Sequence, residues 1–338
     1  MNVQLGLVGD IGGTNARFAL ASYQGGVLTL ESPRSLPNRE YGSLDAAAAA
    51  YLAEVAPSTR PEAAVLAVAG PVIDGSITFT NLHWSITEAQ FRQRLGLEAT
   101  TFINDFEALA HACPLLTGEG QTMLLGPNVP GTNGSIAVIG AGTGTGVSSL
   151  IRNGGQALAA PGEGGHVGFA PTDAVEIEIL SELTAEFGRV SLERILCGQG
   201  MVNLHKVLRR IDGREDKAVT PADIVEAARN GSEGAKATID RFCAILGTAA
   251  GDLALTVGAQ GGVYIAGGVA ARLKDFLPDS PFRTRFEDKG RFTNYMRAIP
   301  TRLVLTADTA SLYGSAKVLL TQSDVWDPAQ AVSAAPTA

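Results

Sequence analysis

The residues that can do chemistry in this chain cluster around glycines. Asp10-Ile11-Gly12-Gly13-Thr14 sets an acid at the end of an apolar run, then two residues without side chains, then a hydroxyl, with Asn15 beside it. Backbone N–H groups in such a turn can approach phosphate oxygens closely, Thr14 can add a hydrogen bond, and Asp10 can face a magnesium ion directly or through water. The competing reading is a plain hairpin turn with an incidental acid. A second turn, Gly140-Ala141-Gly142-Thr143-Gly144-Thr145-Gly146, carries four glycines but fits neither GxGxxG nor the GxxxxGK[ST] loop. Without those signatures, what remains is a pair of Gly/Thr-rich hairpins suited to gripping a polyphosphate. A surface loop is the bland alternative, disfavoured by the apolar runs that flank the turn tightly. Gly267-Gly268 closes a third apolar run, where a nucleoside can pack against backbone; singly, such a pair is more often just a turn.

Polar residues also stand where a bland core would not put them. Asn104-Asp105 follows Thr101-Phe102-Ile103, at a strand end that feeds a helix, the place where α/β proteins set reactive groups. Asp105 is a candidate general base that accepts a hydroxyl proton during attack on phosphorus. The same position equally favours an Asn/Asp helix cap. In Pro161-Gly162-Glu163-Gly164-Gly165-His166-Val167, glycines present a Glu and a His three residues apart. Zinc would need more His or Cys nearby, so hydrogen bonding to the vicinal hydroxyls of a sugar is the better fit. Glu193, in Ser191-Leu192-Glu193-Arg194, reads by itself as a solvated charge or an ion pair with Arg194.

These groups need strands and helices to hold them. Leu5–Ile11 and Ile136–Ile139 break into glycines and then resume as apolar runs, so strand–turn–strand is expected at both. That weak internal repeat points to two similar halves facing each other. Ala63–Val68 and Thr101–Ile103 read as buried strands, and Leu44–Val55 and Thr87–Leu95 as helices, the second capped by Thr87. Helices dominate after Asp173: Val175, Ile179, Leu180, Leu183 and Phe187 share one face, Thr220-Pro221 starts another helix, and Glu233–Val257 is a long one. Thr301–Leu305 is a last strand and Leu312–Leu320 a last helix. From Ser323 the chain is rich in Ala, Ser and Pro, so 323–338 is expected to be a frayed tail. Alternating strands and helices make this an α/β protein built on mixed sheets.

Composition narrows the partners. The 338 residues carry a net charge of −8 with no basic stripe, which argues against nucleic acid or an anionic membrane as a main partner. Three widely spaced cysteines without a CxxC pair point away from a disulfide framework and toward a reducing compartment. The start of the chain lacks a basic and then apolar leader, and no stretch is apolar for the roughly 20 residues a span needs. A cytoplasmic location is therefore expected.

Taken in order, several segments resemble the bacterial glucokinase family of the hexokinase and actin-like ATPase superfamily. They are Leu7-Val8-Gly9-Asp10-Ile11-Gly12-Gly13-Thr14-Asn15-Ala16-Arg17, Ile103-Asn104-Asp105-Phe106, Gly140–Gly144, Pro161–Pro171 and Ser191–Leu196. Gly267-Gly268 and Phe286-Glu287-Asp288-Lys289-Gly290-Arg291-Phe292 complete the set. The resemblance implies two ribonuclease-H-like α/β domains around a cleft: 1–113 plus 301–322 as the smaller, 114–300 as the larger. It implies transfer of the γ-phosphoryl of Mg-ATP to the 6-hydroxyl of D-glucose, with closure of the cleft excluding water. Asn104, Asp105, Glu163, His166 and Glu193 would hold the sugar, Asp105 acting as base. The first two turns (Asp10, Gly12, Gly13, Thr14, Asn15; Gly142, Thr143, Gly144) would hold phosphates, and Gly267 and Gly268 would lie by the adenosine. A homodimer is implied too.

Thr145 and Gln199 depart from the Leu and Pro that relatives tend to carry. On that basis Thr145 is expected beside the nucleotide and Gln199 in a structural role. The cysteine-rich zinc motif of the related repressor–kinase family is missing, which disfavours a sugar-sensing repressor. A kinase for another hexose and a non-catalytic sugar sensor remain as rivals, with a dehydrogenase a distant third.

Overall fold

The computed structural model describes residues 4–24, 27–56, 58, 60–79, 82–129, 132–153, 155–214 and 219–322; the expected tail at 323–338 lies outside them. The chain divides into two compact units, 4–116 with 308–322 and 117–307.

In the first unit, β1 (Gln4–Ile11), β2 (Asn15–Gln24) and β3 (Val27–Pro37) form an antiparallel meander. Helix α1 (Leu44–Val55) leads to β4 (Ala63–Val68), which pairs parallel with β1. A small hairpin of β5 (Ser76–Phe79) and β6 (Trp84–Thr87) precedes α2 (Glu88–Leu95), where Thr87 and Gln90 complete a capping box. Strand β7 (Ala99–Asn104) then joins β4 in parallel and runs directly into α3 (Asp105–Ala112). The sheet order is β3-β2-β1-β4-β7.

The period of two along β1 sorts the core. Leu7 and Ile11 join Phe18, Tyr51, Leu66, Phe91 and Phe102 on one face. Val8 points the other way, with Ala19 and Ala21, against Leu312 and Ala316 of the C-terminal helix Ala307–Gln322. That helix approaches α3 so closely that a Cβ on Gly314 would lie 1.7 Å from the Ala108 carbonyl oxygen.

The second unit repeats the topology. After the short edge strand β8 (Thr122–Leu124) come β9 (Ile136–Ala141), β10 (Thr145–Asn153) and β11 (Gln156–Gly162), again an antiparallel meander. Helices α4 (Ala174–Phe187), α5 (Gly198–Ile211), α6 (Pro221–Arg229) and α7 (Glu233–Val257) follow. Strand β12 (Gly262–Ala266) pairs parallel with β9 and runs into α8 (Gly268–Arg272); α9 (Phe282–Glu287) and α10 (Thr293–Arg297) then lead to β13 (Thr301–Val304). The order is β11-β10-β9-β12-β13-β8, so β9 to β13 occupy the places that β1, β2, β3, β4 and β7 hold in the first unit. The apolar repeat in the sequence is this repeat of topology.

Strand β13 differs from the expected boundary at 301. It pairs with β12 and buries Leu303 in the second unit's core, so the chain passes to the first unit after the strand rather than before it. Helix α4 buries Ile179 and Leu183 as its face predicts, but Glu176 is buried with them, at 0% exposure. It accepts hydrogen bonds from Thr172 N–H and from Arg241 and Arg285 of α7 and α9. Burial alone would raise the Glu176 carboxyl, but the Arg285, Thr172 and Arg241 hydrogen bonds outweigh it and hold it below the usual carboxylate range.

Two stability outcomes follow. Because the Gly314 clash is with backbone, Gly314→Ala should cost about 3 kcal/mol or more in urea unfolding. Glu176 stabilises the fold above its unfolded pKa of 4.5, and that contribution is lost as pH falls through the lowered folded value. Glu176→Gln should therefore cost about 3 kcal/mol at pH 7 and flatten the acid limb of a stability–pH curve.

Candidate active site

Each unit places its glycine turn at the end of the first strand of its meander, β1 or β9. In the first unit, Gly12-Gly13-Thr14 joins β1 to β2, and the turn closes with Gly12 N–H donating to the Asn15 carbonyl at 3.0 Å. Asn38, just past β3, takes two more carbonyls: its Nδ2 donates to Gly12 O at 2.8 Å and its backbone N–H to Thr14 O at 2.9 Å. Among the described residues neither Gly13 N–H nor Thr14 N–H donates to the protein. A Cβ on Gly13 would meet nothing within 4 Å, and neither glycine has a positive φ. The protein's own packing therefore does not require glycine here; the open space does, if another group is to reach the backbone.

The second turn solves the same problem with different partners. Gly142 N–H donates to Gly144 O, and Gly142 O accepts from the Gly198 N–H that opens α5, both at 2.9 Å. Thr143 N–H and Gly144 N–H are left without a protein acceptor among the described residues. In each turn two carbonyls are thus engaged by protein donors while two adjacent N–H groups are not, an arrangement suited to an anion. Beside the second turn lies the third glycine pair. Gly267, at φ 92°, is glycine because a Cβ would sit 2.3 Å from Ala141 O, whereas a Cβ on Gly268 would meet nothing within 4 Å. The fold thus explains Gly267 by itself and leaves Gly268 unexplained.

Asp10 lies on the β1 face that carries Val8, and Arg17, opposite it on β2, donates to its carboxylate at 3.2 Å. Among the described residues no group of three His, Cys, Asp or Glu side chains could hold a metal ion. One carboxylate next to a turn with unengaged N–H groups does suit magnesium, which is commonly held by one or two carboxylates, substrate phosphates and water.

At the end of β7, the helix cap falls to Asn104. Asn104 caps α3, its Oδ1 accepting from Phe106 N–H at 2.9 Å and Glu107 N–H at 3.3 Å, while its Nδ2 donates to Gly70 O. Asp105 occupies the first helical position, half-buried, with Oδ1 accepting from Phe106 N–H at 3.0 Å.

In the second unit Glu193 connects the turn to the Glu/His loop. Its Oε2 accepts from Thr145 N–H at 2.8 Å and its Oε1 stands 3.9 Å from His166 Nε2. The expected pairing with Arg194 does not form; that guanidinium lies over the Phe187 ring, 4.3 Å from its centroid. Glu163 precedes a 3-10 turn, Gly164–His166, that packs on β10: a Cβ on Gly165 would sit 2.1 Å from Thr145 O. Glycine here lets the loop seat directly on the strand, and Arg189 holds the His166 carbonyl at 2.7 Å.

The Thr145 side chain is turned into its own unit. It is 6% exposed and its hydroxyl donates to Leu196 O at 2.9 Å, facing inward to tie β10 to the Glu193 segment. Gln199 bonds Asn203, whose amide holds Arg194 O, a structural role. The Phe286–Phe292 segment packs on α7, with Phe286 buried and Lys289 reaching Thr248 O and Asp252. Asn38 was missed: nothing in Leu36-Pro37-Asn38-Arg39 announces a partner for a turn far upstream, and only the β2–β3 register, which sets Asn15 against Pro37, brings it there.

The glucokinase family model matches residues 7–322. A glucokinase of Caulobacter sp. (strain K31) is 47% identical over 315 residues, 93% of this chain and 95% of that one. The crystal structure of a glucokinase from an Antarctic psychrotroph, 37% identical, superposes with a TM-score of 0.88 over 95% of this chain and 100% of that one. A ROK family glucokinase from Streptomyces griseus, solved with glucose and AMPPNP, shares the fold at 22% identity and a TM-score of 0.60, covering 94% of this chain and 100% of that one. Fold and family comparisons together define an ATP-dependent sugar kinase of the two-domain, actin-like class. Within that class, the chain belongs to the glucokinase family.

The inward Thr145 hydroxyl gives a direct check. Thr145→Val should lower stability by about 1–3 kcal/mol, because Leu196 O loses its donor, and leave the KM for ATP unchanged in steady-state assays.

Proposed function

We propose that this protein phosphorylates D-glucose at its 6-hydroxyl, using Mg-ATP and releasing ADP. The observation that carries this reading is the pair of glycine turns, one in each unit, each with two carbonyls held by protein donors and two adjacent N–H groups unengaged by the protein. Such turns suit phosphates, and the Glu163, His166, Glu193, Asn104 and Asp105 groups suit a polyhydroxyl acceptor. The Streptomyces griseus glucokinase solved with glucose and AMPPNP supports the same pair of substrates.

The sugar 6-oxygen attacks the γ-phosphorus, the bond to the β–γ bridging oxygen breaks, and ADP leaves. Asp105 takes the hydroxyl proton as attack proceeds. Asn104, Glu163, His166 and Glu193 orient the sugar, so that most of the rate gain comes from positioning. Gly13, Thr14, Thr143 and Gly144 N–H groups receive phosphate oxygens, Asn15 lies beside them, and Gly268 leaves room near the adenosine. Asp10 would hold Mg2+, which when bound neutralises phosphate charge.

Three buried free thiols support a reducing compartment, and no helix among the described residues is long and apolar enough to cross a membrane. Cytoplasmic work as a homodimer completes the reading, by likeness to the family. The first experiment is sugar-dependent ADP release from Mg-ATP across a panel of hexoses. Release with glucose alone is expected, and release only with another sugar moves the substrate. Asp105→Asn should still bind glucose while kcat falls by about 10²–10⁴-fold; near-normal kcat would remove Asp105 from the base role.

A further inference from the structure

Asn38 spends its donors on the phosphate turn and leaves its acceptor idle. It is 2% exposed, its Nδ2 donates to Gly12 O and its backbone N–H to Thr14 O. Its Oδ1 is buried with no hydrogen-bond partner. A buried, unsatisfied acceptor lowers stability, so stability alone gives no reason to keep this amide. Nor can the amide turn over, because its oxygen would then face the Gly12 carbonyl oxygen.

What the donor achieves is orientation. A backbone turn attracts phosphate through its N–H groups and repels it through its carbonyls. With Gly12 O and Thr14 O both held by Asn38, the Gly13 and Thr14 N–H groups stay unengaged beside a cleft of about 360 Å3 lined by Gly13, Thr14, Asn15, Asn38 and Arg39. The second turn reaches the same state through a backbone group, Gly198 N–H on Gly142 O. The first turn has no backbone group there and relies on a side chain. We propose that Asn38 is a positioning residue for the nucleotide: it presets the first phosphate turn without touching substrate, and so sets affinity for the phosphates of ATP and ADP. This deepens the kinase reading and rests on it.

Isothermal titration of Mg-ADP and of glucose into the wild-type protein, Asn38→Ala and Asn38→Asp tests it, with Tm recorded for each. Loss of one preorganising hydrogen bond should raise the Kd for Mg-ADP about tenfold in Asn38→Ala. Asn38→Asp should bind more weakly still, since it sets a carboxylate against Gly12 O and beneath the phosphates. Glucose affinity should not move in either variant, and in turnover the KM for ATP should rise more than kcat falls. Unchanged Mg-ADP affinity in a folded variant overturns the proposal and leaves the kinase reading intact. Loss of glucose and nucleotide binding together with a large drop in Tm also overturns it, by showing a general structural role. A wild-type protein that binds no Mg-ADP would overturn both readings.

Discussion

A peptide turn carries donors and acceptors in equal number, so it can welcome an anion only when its carbonyls are occupied elsewhere. The site depends on meeting that condition twice. At Gly12–Thr14 the Gly12 and Thr14 carbonyls are held by the amide and backbone of Asn38; at Gly142–Gly144 the Gly142 and Gly144 carbonyls are held by the start of α5 and by the turn itself. Glycine then matters for what it leaves empty, since a Cβ on Gly13 or Gly268 would meet nothing in the protein. Gly165 and Gly267 are the opposite kind, set by contact with neighbouring backbone. Chemistry and packing thus draw on the same residue type for different physical reasons.

Around the second turn, one carboxylate joins three parts of the unit. Glu193 accepts from the Thr145 N–H at the base of the turn and faces His166 on the loop that carries Glu163. The Thr145 hydroxyl reinforces the link by holding Leu196 O. A Glu/His loop that would otherwise rest on glycines is therefore tied to the strand that follows the second glycine turn. The buried Glu176, held by arginines from α7 and α9, anchors the far end of the same loop through Thr172.

Much of this was legible in the sequence because local rules dominate where the elements are strong. The Ala-rich helix Leu44–Val55 and the long helix Glu233–Val257 lie where they were expected, and Thr87 and Thr220 cap as expected. The two apolar-run-then-glycine segments are hairpins in sheets of matching order. Local pattern does not reveal partners set by register or by tertiary contact. Asn38 is at its turn because β3 pairs with β2, and Arg194 left Glu193 for the Phe187 ring. Thr145 faces inward because alternation along β10 and the Leu196 carbonyl decide its direction, which resemblance to relatives with Leu could not show. The short edge strands β8 and β11 had too few buried residues to announce themselves.

The central claim is that both turns receive phosphate through outward N–H groups. Amide NMR of the 15N-labelled protein, titrated with a non-hydrolysable Mg-ATP analogue in the presence of glucose, tests it most directly. Downfield shifts of the Gly13, Thr14, Thr143 and Gly144 amide protons, saturating together, are what the account predicts, since each gains a charge-assisted hydrogen bond. Saturating nucleotide binding that leaves either pair of amides unmoved would contradict it.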